Sequence, residues 1–401
     1  MDPQFILERD TAERAAAAPM LGWTEAWAAV NSGSGNLAGL GEIAAMLADA
    51  FSALPGEVEL LPPAPAERVD ARGEVHAQEH GRNLRLRVRR QAPLQLLLTG
   101  HMDTVYGADH PFQATRWLGR GILNGPGVAD MKGGLAIMLG ALLAVEGSAA
   151  RDRIGYEVVI NSDEEVGSPG SAQLLAAAAR GKAAALTYEP AALPDGTLAG
   201  ARPGSGNFSL AVEGRSAHAG RDPGNGRNAL LAAADLALRL ERARAPGLSV
   251  NPARIDGGGP NNVVPDRAVL RVNLRPRSAE DQARAQAALD AAAAAVSAER
   301  EVRITTHGGF ARPPRPLDAR AEALFALVER ASADLGRPLA HRATGGVCDG
   351  NNIAAAGVPV VDTMGARGGS IHSADEYLIA DSLPERAALS AVTMLRLAEG
   401  A

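Results

Sequence analysis

The sequence has few cysteine, lysine and aromatic residues. Cys348 is the single cysteine among 401 residues, so an intramolecular disulfide and a zinc finger or ribbon built on cysteine are excluded. Aromatic residues make up 3%, which leaves no stacking platform for nucleic-acid bases. Lysine occurs only at Lys132 and Lys182, and the net charge is −6. This balance argues against a general nucleic-acid or membrane-surface binder.

Long apolar runs and a leader sequence are not visible either. No uninterrupted apolar run approaches the roughly 18–20 residues that span a bilayer. The first 30 residues include Asp2, Glu8, Asp10 and Glu13 and lack the apolar region of a signal peptide. We therefore expect a cytoplasmic protein without membrane contact, or a periplasmic or secreted one if a leader has been removed. The 46% hydrophobic and 21% charged residues are typical of a globular protein, and the length favours two domains over one.

Three short runs predict buried parallel strands, at 95–100, 156–161 and 183–190, the last ending in Glu189 and Pro190. An apolar helix is expected over 133–146, between the first two runs, and another follows the second run until Gly181. This alternation of strand and helix predicts an α/β domain with a doubly wound mixed sheet. Such sheets place their sites beyond the carboxyl ends of the strands.

A different pattern begins at about residue 207, where apolar and polar residues alternate as in half-exposed antiparallel strands. Strands and two alanine-rich helices follow in a β-α-β-β-α-β order if one strand lies near 249–255. We expect a small α+β domain inserted into the larger one. The predicted boundaries are 1–205 and 313–401 for the two parts of the larger domain and 206–312 for the insertion.

Five possible metal ligands stand near the ends of separate apolar runs: His101, Asp130, Glu165, Glu189 and His372. Zinc binds this mixture of imidazole and carboxylate, with three protein ligands per ion and a position open for water. Five groups supply three ligands to each of two ions only if one group bridges them. A carboxylate has two oxygens, which nominates Asp130. Any one of these residues alone is more often structural, so the hypothesis depends on their coincidence.

Asp103 and Glu164 are candidate partners of these ligands. Asp103 lies two residues after His101, and in an extended chain the two side chains share a face. It can then accept the second imidazole N–H, although a helix cap or turn is the structural alternative. Glu164 precedes Glu165, so the two point to opposite sides of an extended segment. Glu164 is then free to act as a general base.

Five motifs carry a family resemblance: GHMDTV, GPGVADMKGG, DEEVGS, YEP and GGSIHSADEY, in this order. The chain resembles the co-catalytic di-zinc metallopeptidase family, which contains glutamate carboxypeptidases, aminoacylases, acetylornithine deacetylase and succinyl-diaminopimelate desuccinylase. The resemblance covers roughly residues 20 to 400. The stretch FSLAVEGRSAHAGRDPGNGRNA is most similar to the glutamate carboxypeptidase branch, the carboxypeptidase G-like enzymes.

The resemblance implies two Zn²⁺ ions per subunit, with Co²⁺ or Mn²⁺ as possible substitutes. It places one ion on His101, Asp130 and Glu189 and the other on Asp130, Glu165 and His372.

The resemblance also implies roles for residues around the metals. Glu164 matches the general base, and Asp103 matches the residue that orients His101. A cis peptide is expected between Asp130 and Met131. His218, in GRSAHAG, is implied to reach into the partner subunit's site and stabilise the oxyanion, so residues of about 206–312 would form a homodimer. A histidine in a polar turn is the structural alternative.

Substrate contacts follow from the same resemblance. Asn262 and Arg275 match positions that bind the terminal carboxylate of the substrate, a group that the arginine fork suits. Arg312 is a candidate for the substrate's side chain, with Arg303 and Arg315 as alternatives, or all three as a solvated edge.

The segment TGGVC, 344–348, should present backbone amides to the substrate at Gly345 and Gly346. Cys348 stands where the family usually has Ser or Thr, so a good hydrogen-bond donor is missing.

The function implied is that of a zinc-dependent exopeptidase or amidohydrolase. It would cleave the C-terminal amide bond of a small peptide or N-acyl amino acid by attack of a metal-bridging water, with Glu164 as base. An acidic residue, glutamate or aspartate, is the expected product. The alternatives are an N-acyl-amino-acid deacylase, a mononuclear or non-zinc enzyme, and a catalytically silent dimer that only binds.

Overall fold

The computed structural model describes residues 3–400. The helices are α1 (Pro3–Ala16), α2 (Met20–Ala28), α3 (Leu37–Phe51), α4 (Gly133–Glu146), α5 (Ala172–Ala179), α6 (Ala229–Glu241), α7 (Ala279–Arg300), α8 (Ala319–Asp334), α9 (Asp349–Ala355) and α10 (Ser382–Glu399). The strands are β1 (Glu57–Leu61), β2 (Ala66–Val69), β3 (Val75–Gln78), β4 (Asn83–Val88), β5 (Leu94–His101), β6 (Arg116–Gly119), β7 (Ile122–Asn124), β8 (Ile154–Asn161), β9 (Ala184–Thr187), β10 (Leu198–Ala199), β11 (Ser205–Glu213), β12 (Leu248–Gly257), β13 (Arg267–Pro276), β14 (Arg303–Arg312), β15 (His341–Arg342), β16 (Val360–Val361), β17 (Gly368–Gly369) and β18 (Tyr377–Ile379).

The larger sheet has six strands in the order β1-β4-β8-β5-β9-β16. β8 and β9 run parallel to β5, and β16 runs parallel to β9. β4 is antiparallel to β8, and β1 is antiparallel to β4. Every residue of β8 and β9 is buried, which explains their continuous apolar runs. The predicted mixed sheet is therefore confirmed, with the three predicted parallel strands at its centre.

The antiparallel edge of this sheet was not predicted. β1, β4 and the β2–β3 hairpin lie in the first 90 residues, where no strand was predicted. In β4, Leu84, Leu86 and Val88 are buried, whereas Arg85 and Arg87 are half-buried. This alternation is typical of a strand with one covered face, so the signal was present in the sequence.

Helix α4 forms the centre of the larger core. Twelve of its 14 residues are buried, and it packs against α1, α2 and α10. The helical stretch Val128–Glu146 is long and apolar enough to cross a membrane by length and composition alone. However, 94% of the 18 residues that meet this criterion are buried inside the protein, and Asp130 and Lys132 interrupt the apolar run. It is thus a core helix of this fold.

The smaller sheet has the order β12-β13-β11-β14 and is antiparallel throughout. With α6 and α7 it follows the predicted β-α-β-β-α-β order, and the strand expected near 249–255 is β12. Its own core includes Phe208, Leu236, Leu270 and Leu289. The architecture of a larger α/β part and a smaller α+β part is confirmed, whereas the domain boundaries stay a prediction.

Candidate metal centre

Polar side chains from five segments gather at the carboxyl ends of the parallel strands. One of these segments is the end of β5. The other four are the loops after β8 and after β9 and the segments before α4 and before β18. They are His101, Asp130, Glu164, Glu165, Glu189 and His372. All except His372 are buried or half-buried. The parallel strands end at one edge of the sheet, so residues far apart in sequence meet there.

Asp130 lies between the two histidines. Its Oδ1 is 3.2 Å from His101 Nε2, and its Oδ2 is 3.3 Å from His372 Nε2. The peptide bond between Asp130 and Met131 is cis, as expected. Each carboxylate oxygen thus faces a different imidazole, which is the arrangement that a ligand shared by two ions requires.

Glu165 and Glu189 add one carboxylate to each side of Asp130. Glu189 Oε2 is 3.7 Å from His101 Nε2, and Glu165 Oε2 is 3.2 Å from His372 Nε2. Possible ligand atoms of His101, Asp130 and Glu165 all lie within 4.8 Å of one another. The five predicted ligands are therefore brought together, and their metal roles remain a prediction.

The electrostatics of this cluster fit bound cations. Burial, followed by repulsion from neighbouring carboxylates, raises the pKa of Glu164 to about 8, of Glu165 to about 7 and of Glu189 to about 8. Hydrogen bonds to Asp130 and Glu165 raise the pKa of His372 to about 11. Crowded acids of this kind are stabilised in their ionised form by divalent cations. Imidazole and carboxylate are also the donors that zinc accepts.

Asp103 is buried and connects His101 to the loop after β8. Its Oδ1 is 3.4 Å from His101 Nδ1, and its own main-chain carbonyl is nearer, at 3.0 Å from the same nitrogen. The carboxylate accepts the backbone N–H groups of Glu164 and Glu165, both at 3.1 Å, and the Ser34 hydroxyl at 2.7 Å. Asp103 therefore sits where it can orient the imidazole, and it also holds the loop that carries both glutamates.

Glu376 is a site residue that the sequence did not identify. Its side chain is buried and accepts the backbone N–H groups of Gly127, Ala129 and Asp130 at 3.0–3.2 Å. It also accepts the Tyr106 hydroxyl at 2.9 Å. Glu376 therefore fixes the turn from which Asp130 projects. It belongs to the GGSIHSADEY motif, but nothing local indicated what it would contact.

Glu164 is held by a buried ion pair. Arg312 Nη2 donates to Glu164 Oε1 at 2.7 Å and to the Glu164 carbonyl at 3.0 Å. The other terminal nitrogen of Arg312 donates to Asp349 Oδ1 at 2.7 Å. The Glu164 carboxylate is thus fixed beside the ligands.

A cavity of about 580 Å³ opens beside the cluster. Its walls include Glu165 and His372 from the ligand set, together with Arg275, Arg312 and Gly346. This volume is in the range of sites for small molecules.

Arg275 extends from β13 and forms part of this wall. Its Nη1 donates to the Gly345 carbonyl at 2.9 Å, and its Nε donates to Asn273 Oδ1 at 2.9 Å. Over residues 3–400 it forms no ion pair, so its charge is available to an anionic ligand. The structure therefore brings Arg275 and Gly346 to this cavity, and Gly345 contacts Arg275.

His218 and Asn262 lie elsewhere on the smaller part of the molecule. Both residues are exposed. The two loops that carry them are joined by a hydrogen bond, which the backbone N–H of Ala219 donates to the Asn262 carbonyl. Neither residue lines the cavity beside the ligands. The predicted roles of His218 and Asn262 therefore stay predictions.

Cys348 is buried at the start of α9. Its thiol donates to Asp362 Oδ2 at 3.2 Å, and burial raises its pKa well above the usual range. A protonated, buried thiol is inert as a nucleophile.

Comparisons with known proteins identify relatives of the chain. The model of peptidase family M20/M25/M40 matches residues 97–396. Carboxypeptidase G2 of Pseudomonas sp. (strain RS-16) is 31% identical over 80% of this chain and 78% of its own length. Succinyl-diaminopimelate desuccinylase of Methylobacterium sp. (strain 4-46) is 33% identical over 77% of this chain and 81% of its own length. The structure of an M20 family metallo-carboxypeptidase from Sulfolobus solfataricus matches with a TM-score of 0.73 at 14% identity, over 95% of this chain and 99% of that one.

Proposed function

The chain belongs to peptidase family M20/M25/M40, a family of hydrolases, and on this premise we propose a zinc-dependent exopeptidase or amidohydrolase. It would cleave the C-terminal amide bond of a small peptide or N-acyl amino acid. The observation that carries the proposal is the position of Asp130 between His101 and His372, with Glu164 beside them.

We assign the five clustered residues as the ligands of two zinc ions. His101, Asp130 and Glu189 would hold one zinc ion, and Asp130, Glu165 and His372 the other. Bound there, two cations would lower the pKa of a water molecule and polarise the carbonyl of the substrate. Co²⁺ or Mn²⁺ would fit the same ligands.

Glu164 is the proposed general base. It takes a proton from the attacking water and later gives it to the leaving amine. Arg312 and the loop held by Asp103 keep its carboxylate in place. Because the carboxylate is positioned before the substrate binds, little reorganisation is needed at the moment of reaction.

We further propose that the enzyme works as a homodimer through the smaller part, residues 206–312. The exposed position of His218 supports a role as oxyanion donor in the partner's site. Leu231 and Leu238 on α6 support an interface, since they are 54% and 61% exposed and lie two turns apart on one face. Apolar side chains repeated along an exposed helix face are typical of a protein contact.

The proposed substrate carries a carboxylate next to the scissile amide. Arg275 would bind this carboxylate, together with the backbone amides of Gly345 and Gly346 and with Asn262 of the partner subunit. The released residue would be acidic, glutamate or aspartate. The uncompensated charge of Arg275 and the similarity to Carboxypeptidase G2 support this preference. Arg312 contributes less than the sequence suggested, because its guanidinium already serves Glu164 and Asp349.

An N-acyl-amino-acid deacylase is the second candidate. It is favoured by the 33% identity to a succinyl-diaminopimelate desuccinylase. The chemistry at the amide bond would be the same, and the two candidates differ in which half of the substrate is selected.

A two-way substrate panel, assayed with and without zinc, separates these candidates. One series keeps an N-benzoyl group and varies the released amino acid, and the other keeps glutamate and varies the acyl group through acetyl, succinyl and aminoacyl. We expect kcat/KM to depend mainly on the released amino acid, with glutamate and aspartate preferred. A dependence mainly on the acyl group would identify a deacylase. No turnover of either series by the zinc-loaded protein would contradict the proposed function.

A further inference from the structure

A second cavity shares Arg275 with the cavity beside the ligand cluster, and none of the metal-ligand candidates lines it. Its volume is about 680 Å³, within the usual range for small-molecule sites. We call it the arginine cavity, because five arginines line it: Arg202, Arg244, Arg275, Arg277 and Arg315. Among the residues that the structure describes, no aspartate or glutamate lines it.

The positive charge of the arginine cavity is only partly compensated. Asp362 pairs with both Arg202 and Arg315, and Glu241 pairs with Arg244. Two carboxylates thus neutralise two of the five guanidinium charges, and three remain. Arg277 forms no ion pair within residues 3–400, and the same is true of Arg275.

Two buried polar groups of residues that line the arginine cavity also lack hydrogen-bond partners among the described residues. Arg315 is 3% exposed, yet its Nε has no acceptor in the described part of the chain. The buried hydroxyl of Thr344, which lines the same cavity, has no partner either. Buried donors are nearly always satisfied in folded proteins. The chain itself therefore leaves part of the polar wall of this cavity unsatisfied.

The floor of the arginine cavity is rigid. Arg202 is held by two hydrogen bonds to Asp362, at 2.6 and 3.2 Å, and Arg315 donates to the Val360 carbonyl at 3.1 Å. Pro203, Pro246 and Pro316 stand in the wall. These groups lose little freedom when a ligand binds, which favours affinity for a small molecule.

From these observations we propose that the arginine cavity binds a small molecule with two or more anionic groups, such as carboxylates, phosphates or sulfonates. A singly charged ligand would leave most of the excess charge uncompensated. A nucleic-acid strand is disfavoured because no aromatic residue stands among the cavity-lining residues described. This site goes beyond the proposed peptidase function: it includes no metal-ligand candidate, although it shares Arg275 with the proposed substrate site.

A naphthalenetrisulfonate is a suitable probe, because it is fluorescent and sulfonates are weak metal ligands. We expect saturable fluorescence changes when it is titrated into the zinc-loaded protein, and far weaker binding of the singly charged naphthalenesulfonate. Arg244 and Arg277 are exposed, so their replacement should leave the fold intact. The double variant R244Q/R277Q should bind the trisulfonate about fivefold more weakly, as expected when two solvent-exposed ion pairs with the ligand are lost.

The matched control is R151Q/R153Q, which removes two exposed arginines from the turn before β8. It should bind the probe as the wild type does. Equal affinity for R244Q/R277Q and wild type, or equal binding of the mono- and trisulfonate, would overturn the proposal. This titration needs no turnover, so its outcome is independent of the proposed activity.

Activity assays with added trisulfonate show whether the natural anion is part of the substrate or a separate molecule. If the trisulfonate raises KM without changing kcat, the arginine cavity receives an anionic part of the substrate across Arg275. If KM is unchanged while the probe is bound, the ligand is a separate small anion.

Discussion

Arg312 and Glu164 form a buried ion pair with 2.7 Å between Nη2 and Oε1. Arg312 is the last residue of β14, and its other terminal nitrogen contacts Asp349 at the start of α9. The candidate base, Glu164, is therefore held by an arginine at the junction between the smaller sheet and the larger part of the molecule.

The ion pair predicts how a lysine in place of Arg312 will behave. Arg312→Lys keeps the charge but loses the fork that reaches two carboxylates. We expect kcat to fall by about tenfold or more, with KM little changed, because the base is less well positioned. A raised KM with normal kcat would instead show that Arg312 binds substrate. Metal content and melting temperature should be measured alongside, since breaking a buried pair is destabilising.

Glu164→Gln tests the base itself. The amide keeps the shape of the side chain but cannot accept a proton, so kcat should fall by about 10²–10⁴-fold. Zinc content should stay at the wild-type value, because Glu164 is not among the assigned ligands. Glu280→Gln, an exposed glutamate in the first turn of α7, is the control and should be fully active. Near-normal turnover by Glu164→Gln would rule out this assignment.

The shared carboxylate predicts a metal count. Chelation should abolish activity and zinc should restore it, with two ions per chain by mass spectrometry. Asp130→Ala should lose both ions, because each depends on one of its oxygens, whereas His372→Ala should retain about one. Activity that persists after thorough chelation, or two ions retained by Asp130→Ala, would contradict the proposed centre.

A mixing experiment tests whether His218 acts across the dimer. His218→Ala and Glu164→Gln should each be nearly inactive. When they exchange subunits, a mixed dimer has one site with an intact Glu164 and the partner's intact His218. An equal mixture should recover about a quarter of wild-type activity, since half of the dimers are mixed and each has one working site. No recovery despite proven exchange would exclude the intersubunit role.

Gly134 is predicted to be essential for packing. A Cβ at this position would lie 2.0 Å from the Tyr188 carbonyl, at the end of β9. Gly134→Ala should lower the free energy of unfolding by about 1–3 kcal/mol, as overpacking does. The control is Gly41→Ala in α3, where a Cβ meets nothing within 4 Å and alanine should be neutral or slightly stabilising. Thermal or denaturant unfolding of the two variants measures the difference.

Local sequence patterns determined much of the fold and the composition of the candidate site. The apolar runs ending at His101, before Glu164 and before Glu189 identified the central strands, since a strand buried on both faces must be apolar throughout. The alternation after residue 207 identified the smaller sheet. Because parallel strands end at one edge, residues placed at those ends were expected to meet, and the structure brings all five candidate ligands together.

Only the tertiary structure decided which groups hold these ligands in place. Glu376 contacts the backbone of Asp130 across 246 residues, and Arg312 contacts Glu164 across 148. The arginine cavity likewise combines residues from the end of the smaller sheet and the loops after β10 and β15. Periodicity reports which face of an element is buried, but it carries no information on which distant side chain will pack there. That choice depends on how the two sheets are placed against each other.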